Sequence, residues 1–208
     1  MHIEEDQIRT AIAILKEGGT VIYPTETVYG LGADALSEEA IRRVYIIKKR
    51  DISLPISLAV SSFEMLHEVA YIDREYLGLL TELLPGPITV LLRKKDIVPD
   101  VLTAGSEIVG IRYPDNELAT RIIKEAGPIT ATSANISGRK PPTRVEEVEI
   151  NADIIINGGK CEYSMPSTVV VKEAKGIKIL REGAEYDRVL HVLQGKAAGR
   201  RLHGLSVP

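Results

Sequence analysis

Four segments of this chain gather small hydroxyls, amides and guanidinium groups where strands are expected to end, and ligand sites in α/β sheets form at strand ends. The first is Tyr23-Pro24-Thr25-Glu26-Thr27-Val28-Tyr29-Gly30-Leu31-Gly32. In extended chain Thr25, Thr27 and Tyr29 share a face and would offer three hydroxyls to one small polar ligand, while the glycines allow close backbone approach. The second is Lys48-Lys49-Arg50, whose ammonium and guanidinium groups could clamp phosphates as point charge and bidentate fork. In the third, Thr130 to Gly138, Ser133 and Asn135 share a strand face, and an asparagine amide can read a nucleotide hydroxyl or base edge. The fourth is a late pair, Pro166-Ser167-Thr168-Val169 and Leu180-Arg181-Glu182-Gly183. Arg112, in Gly110-Ile111-Arg112-Tyr113-Pro114, stands just before a proline stop. Each feature also has a plain structural explanation. These are a β-branched strand and turn, dipole-favoured charge at a helix end, turn chemistry, and a surface ion pair.

Other chemistry is excluded. There is no Gly-x-x-x-x-Gly-Lys-Ser/Thr loop, and Gly30-Leu31-Gly32 lacks the third glycine of the dinucleotide pattern. The histidines (His2, His67, His191, His203) have no metal spacing. No Gly-x-Ser-x-Gly elbow occurs. Without an evident nucleophile, the chemistry should rest on positioning and charge stabilisation.

Periodicity supplies the elements that must hold these groups. Ile8, Ile12 and Leu15 sit at helical spacing, and Gly18-Gly19 ends that helix. Thr20 to Tyr23 reads as a buried strand. Ser37 can cap a helix with Glu38 and Glu39 in its first turn. Its stripe of Ile41, Val44 and Tyr45 includes Lys48, which must snorkel or point into a site. Strands are expected at 55–60, 88–92, 107–113 and 129–134, with helices at 63–69, 73–84 and from an Asp115 cap through Ala126. Strands near 153–157, 167–172 and 177–181 and a helix from Glu185 to about Leu193 complete the chain. Several late strands follow one another without a helix between them. The expected fold is therefore a single α/β domain with a twisted mixed (parallel and antiparallel) sheet flanked by helices. Residues 1–187 would form it, with 188–208 as a basic C-terminal tail.

With 208 residues the chain can bury a full core, and its single cysteine, Cys161, leaves no disulfide framework. No Trp, one Phe and eight Tyr argue against a base-stacking platform. No apolar run approaches a membrane span, and Met1 to Asp6 does not resemble a signal peptide. A cytoplasmic protein is expected. Net charge is −3, but Arg188, Lys196, Arg200 and Arg201 give the end after Asp187 a charge of +4. The rest holds 22 basic and 29 acidic residues, a balance of −7. A second basic knot (Arg42, Arg43, Lys48, Lys49, Arg50) has no acid from Ala40 to Arg50.

Taken in order, Tyr-Pro-Thr-Glu-Thr-Val-Tyr-Gly-Leu-Gly at 23–32, Lys-x-Arg at 48–50, Ser-Ala-Asn with Ile-Ser-Gly at 133–138, Pro-Ser-Thr-Val at 166–169 and Leu-Arg-Glu-Gly at 180–183 resemble the motifs of the YrdC-type threonylcarbamoyl-AMP synthases in their single-domain form. The resemblance implies a reaction in which L-threonine, bicarbonate (or CO2) and ATP give threonylcarbamoyl-AMP and pyrophosphate, for modification of tRNA adenosine 37 by a downstream transferase complex. It implies that Thr27, Arg112, Ser133 and Ser167 hold threonine, with Arg112 on its carboxylate. Lys48, Arg50, Asn135, Thr143 and Arg181 would hold ATP. Lys48 and Arg50 would act catalytically, with Mg2+ carried by ATP and no protein metal ligand identified. The sequence departs from the family pattern at Asp51, where proline is usual, at Leu54-Pro55-Ile56 in place of Asn-Pro-Leu, and at Ala59, often histidine. Two other readings use the same residues. A double-stranded RNA or tRNA-binding module without catalysis would use the basic knot. The related domain of hydrogenase-maturation carbamoyltransferases carries similar chemistry, but within large multidomain chains.

Overall fold

The computed structural model describes residues 5–173 and 176–202. The order is α1 (Glu5–Lys16), β1 (Val21–Tyr23), β2 (Gly30–Gly32), α2 (Glu38–Lys48), β3 (Ser57–Ala59), α3 (Phe63–Val69), β4 (Ala70–Tyr71), α4 (Arg74–Leu83), β5 (Ile88–Lys94), α5 (Asp100–Thr103), β6 (Ile108–Arg112), α6 (Glu117–Ala126), β7 (Ile129–Ser133), a 3-10 turn (Val145–Glu147), β8 (Ile154–Ile155), β9 (Thr168–Glu173), β10 (Gly176–Arg181) and α7 (Tyr186–Leu202). The strands form one sheet in the order β10-β9-β5-β6-β3-β7-β2-β1-β8, with β4 beside β5. The pairs β1–β8, β3–β6 and β5–β9 are parallel and the rest antiparallel, so the sheet is mixed as expected.

Period-two alternation sends successive side chains to opposite faces. On β1, Ile22 joins one apolar cluster while Val21 and Tyr23 join the other; on β3, Leu58 and Ala59 divide the same way. The first cluster takes buried residues of α2 and α4, among them Ile41 and Leu80. The second takes Ile8, Ala11, Ile12 and Leu15 of α1 with Ala119, Ile122 and Ile123 of α6. Helices thus cover both faces, which leaves the strand ends as the place for polar groups.

Three expectations need correction. Residues 24–29 are not strand and bend at 26–28, because Thr25 folds its hydroxyl onto the Val28 carbonyl (2.7 Å) and receives the Val28 N–H (3.3 Å). Tyr29 consequently leaves the Thr25/Thr27 face: its buried hydroxyl donates to the Gly159 carbonyl (2.8 Å) and accepts from Gly158 N–H (3.1 Å). The cap of α6 is Asn116, whose side chain accepts from Ala119 N–H at 3.0 Å, rather than Asp115. Finally, α7 runs through the expected 187/188 boundary. Val189 is buried and Val192 and Leu193 pack on the core, so this stretch belongs to the domain. Residues 203–208 lie outside the described residues.

Candidate active site

A cavity of about 320 Å3 opens where β1, β2, β5, β6, β7, β9 and β10 begin or end. Thr27, Arg50, Arg112, Ser133, Ser167 and Arg181 all line it. No Asp or Glu is among its lining residues.

Arg112, the last residue of β6, is buried beside the cavity. Its Nη1 donates to the carbonyls of Gly86 (2.5 Å) and Ile88 (2.8 Å), and its Nη2 donates to Glu26 Oε1. A guanidinium has five N–H donors. Three are committed, so the Nε edge and one Nη2 proton stay available for an anion. A surface ion pair does not describe this residue: both partners are under a tenth exposed. Glu26, between the two cavity threonines, is the partner of Arg112 that motif reading passed over. Its carboxylate gave no local signal, because its partner is 86 positions away.

Ser167 and Arg181 form a second unit. The Ser167 hydroxyl shares a 2.7 Å hydrogen bond with Thr89 and accepts from Arg181 Nη2 at 3.0 Å. Arg181 Nε and Nη2 also donate to the Ser167 carbonyl, at 3.1 and 2.8 Å. Burial lowers the pKa of Arg181, and Arg112 nearby lowers it further. The motif glycine explains how the two chains meet. A Cβ on Gly183 would lie 2.4 Å from the Pro166 carbonyl oxygen and 2.5 Å from the Ser167 carbonyl carbon. The close approach also lets the Thr168 hydroxyl accept from Gly183 N–H (3.0 Å) and donate to the Ala184 carbonyl (2.8 Å).

Lys48 departs from its expected place. It is fully buried and does not line the cavity. Its Nζ donates to the carbonyls of Ser133 and Asn135, the latter at 2.8 Å, while its own carbonyl accepts from Ser137 N–H at 2.8 Å. Burial lowers its pKa from 10.5 to about 8, with Arg50 adding to the effect. Lys48 thus braces the 133–137 loop from behind. Arg50 does reach the cavity; Nε and Nη2 donate to the carbonyls of Leu54 (3.1 Å) and Pro55 (2.8 Å). These acceptors are backbone carbonyls, so the altered side chains at 54–56 leave the anchoring of Arg50 in place.

Asn135 and Thr143 also stand outside the main cavity. Asn135 lines an adjoining depression with Arg139, Lys140 and Glu147 that shares Pro141 with it. Its amide donates to the Ile136 and Arg139 carbonyls (2.9 and 2.7 Å), leaving a buried Oδ1 without a partner. The hydroxyl and N–H of Thr143 are taken by Glu147 Oε2, at 3.0 and 2.7 Å. The basic knot is dispersed as well. Arg42 pairs with Glu38 (3.5 Å), Arg43 pairs with Asp153 (3.2 Å), Lys48 is buried and only Lys49 stays simply exposed.

Residues 13–183 match the Sua5/YciO/YrdC family, described as telomere recombination. The chain belongs to this family. It is 38% identical over 192 residues to a Methanocaldococcus jannaschii protein, covering 88% of this chain and 90% of that one; the relative's name carries threonylcarbamoyl-AMP synthase as a provisional assignment. It is 41% identical over 175 residues to the threonylcarbamoyl-AMP synthase of Pyrococcus abyssi, covering 81% of this chain but 52% of that one, so it spans about half of this longer relative. The fold superposes on P. abyssi Sua5 complexed with L-threonine with a TM-score of 0.86 at 38% identity, covering 93% of this chain and 60% of that one. A nucleotide-bound HypF, at 24% identity and TM-score 0.75, covering 85% of this chain and 29% of that one, shares the fold.

Proposed function

We infer that this chain is a threonylcarbamoyl-AMP synthase, joining L-threonine, CO2 or bicarbonate and ATP with release of pyrophosphate. The observation that carries this reading is a buried guanidinium, Arg112, with an uncommitted edge in a hydroxyl-lined cavity that also holds Arg50 and Arg181. Such a cavity can seat an amino-acid carboxylate against a polyphosphate.

The Arg112 edge takes the carboxylate of threonine, and Thr27, Ser133 and Ser167 offer hydroxyls around it. A cavity partly closed to water favours the neutral amine, which attacks CO2 and loses a proton to give the carbamate. A carbamate oxygen then attacks the α-phosphorus in line. The new P–O bond forms as the bond to the β-phosphate oxygen breaks, and pyrophosphate leaves with the electron pair. Negative charge grows on the leaving group, where Arg50 and Arg181 stabilise it most in the transition state. Magnesium enters as MgATP. The cavity lining holds no carboxylate, and among the described residues no cluster of acidic, histidine or cysteine side chains could hold a metal, so magnesium would be carried by the phosphate oxygens of ATP. Asn135, which lines the adjoining depression, would read the nucleoside end.

The product is a labile mixed anhydride, so a transferase acting on tRNA adenosine 37 must consume it promptly, which fits a cytoplasmic setting. Among the described residues no helix is long and apolar enough to cross a membrane. The RNA-module reading is not favoured, since Glu38 of the same helix pairs with Arg42, Asp153 pairs with Arg43, and burial removes Lys48. Pyrophosphate release is measured with ATP, Mg2+, bicarbonate and L-threonine. Loss of release when threonine is omitted is expected; release that ignores the omission refutes the assignment.

A further inference from the structure

Tyr23 lines the cavity, and the mechanism above gives it no task. It closes β1 and is only 1% exposed. Its ring lies across β2. A Cβ on Gly30 would come within 3.1 Å of Tyr23 Cζ and 3.3 Å of its hydroxyl oxygen, and a Cβ on Gly32 within 3.0 Å of Cε1. The two motif glycines thus leave the space that the ring fills, and the hydroxyl is carried over Gly30. Gly30 pairs with Tyr23 on one side and with Ser133 of β7 on the other. The phenol oxygen therefore sits over β2, one strand away from a serine assigned to threonine.

A buried tyrosine hydroxyl usually has a hydrogen-bond partner. Those of Tyr29 and Tyr45 donate to backbone carbonyls, and that of Tyr76 is sealed in the core without a partner. Among the described residues none hydrogen-bonds the Tyr23 hydroxyl, and this residue borders the cavity, so the cavity is where its partner must come from. Burial holds the phenol well above its usual pKa range, so it stays neutral and can both donate and accept.

The surroundings select what it meets. Ala59 and Ala131 line the cavity too and pack in the same apolar cluster as Tyr23. Ser133 lies two residues beyond Ala131 on the same face of β7. This wall is small and apolar, with two neutral hydroxyls beside it. Carboxylate and phosphate groups are matched by the guanidinium groups. The part of the amino acid that suits this wall is its side chain, a methyl and a hydroxyl on one carbon.

We propose that Tyr23 is a specificity-determining residue of the amino-acid subsite: its hydroxyl hydrogen-bonds the β-hydroxyl of threonine, while its ring, Ala59 and Ala131 take the methyl. This inference rests on the threonine reading of the site. A site built to hydrogen-bond a substrate hydroxyl rejects the analogue that lacks it, because the site's own polar group is then left unpaired. L-Valine is that analogue, with a methyl in place of the hydroxyl.

The test is equilibrium dialysis of the full chain with labelled L-threonine and with unlabelled L-valine as competitor. Tyr23→Phe keeps the ring over the glycines and removes only the hydroxyl. Its Kd for threonine should rise about tenfold, while the Kd for valine stays within about twofold. A merely structural role would weaken both amino acids alike. Equal weakening of the two, or an unchanged threonine affinity in the folded variant, overturns the inference. Should Tyr23→Phe fail to fold, wild type decides: valine should bind at least about tenfold more weakly than threonine, and equal affinities overturn the inference. If wild type binds no threonine, the functional reading itself falls.

Discussion

Replacing Lys48 by methionine separates a brace from a phosphate ligand. The Nζ holds the Ser133 and Asn135 carbonyls in a buried setting. Methionine fills similar volume but leaves both acceptors bare, at about 1–3 kcal/mol each. Against this, the ammonium is itself disfavoured. A fall in pKa from 10.5 to about 8 corresponds to about 3 kcal/mol of burial cost that methionine relieves. Near pH 7 the two effects largely cancel, and Lys48→Met should cost only about 1 kcal/mol. The sign with pH follows from linkage. Between about 8 and 10.5 the unfolded chain binds more protons at this residue than the folded chain, so the folded state gains stability as pH rises through that window. The neutral amine still has two N–H donors for its two carbonyls. Wild type should therefore pull ahead of Lys48→Met by about 3 kcal/mol more at pH 10 than at pH 7. Urea denaturation of both proteins across this range measures the difference. In the activity assay the variant should raise KM for threonine and for ATP together, because Ser133 and Asn135 serve both. A pH-independent stability difference accompanied by a loss confined to ATP would show that Lys48 contacts phosphate directly and that the brace is wrong.

Further outcomes follow from the same geometry. Arg50→Ala should lower kcat by about 10²–10³-fold if its contact tightens in the transition state; unchanged turnover removes Arg50 from the chemistry. Thr143→Ala loses the hydroxyl bond to Glu147 and should cost about 1 kcal/mol of stability by thermal unfolding. It should leave KM for ATP within about twofold, since that hydroxyl is already engaged, and a large rise in KM would restore Thr143 to the nucleotide site. Gly183→Ala drives a Cβ into the Pro166 and Ser167 backbone and should destabilise the fold by about 1–3 kcal/mol. It should also weaken threonine binding through Ser167 and Arg181; a variant with native stability and affinity would contradict the reported packing.

Much of the architecture was legible as pattern. Helical spacing at Ile8, Ile12 and Leu15, caps such as Ser37, and glycine or proline stops located most elements, because these signals are local. The short β4 and α5 escaped notice since two to four residues carry no period. The 24–29 segment failed for a different reason. Alternating Thr25, Thr27 and Tyr29 fit a strand, but the Thr25 hydroxyl competed for backbone partners and bent the chain.

Residue types and order, on their own, determined the fold class, the family and the gathering of hydroxyls and arginines at strand ends. They did not determine what each charge does. Lys48 and Arg50 are two positions apart and chemically alike, yet one is walled in behind a loop and the other opens to the cavity. The carbonyls that hold Lys48 stand 85 and 87 positions away, and the carboxylate that holds Arg112 stands 86 away. The state and direction of a buried charge depend on desolvation and on partners brought by distant strands, and those exist only once the sheet has assembled.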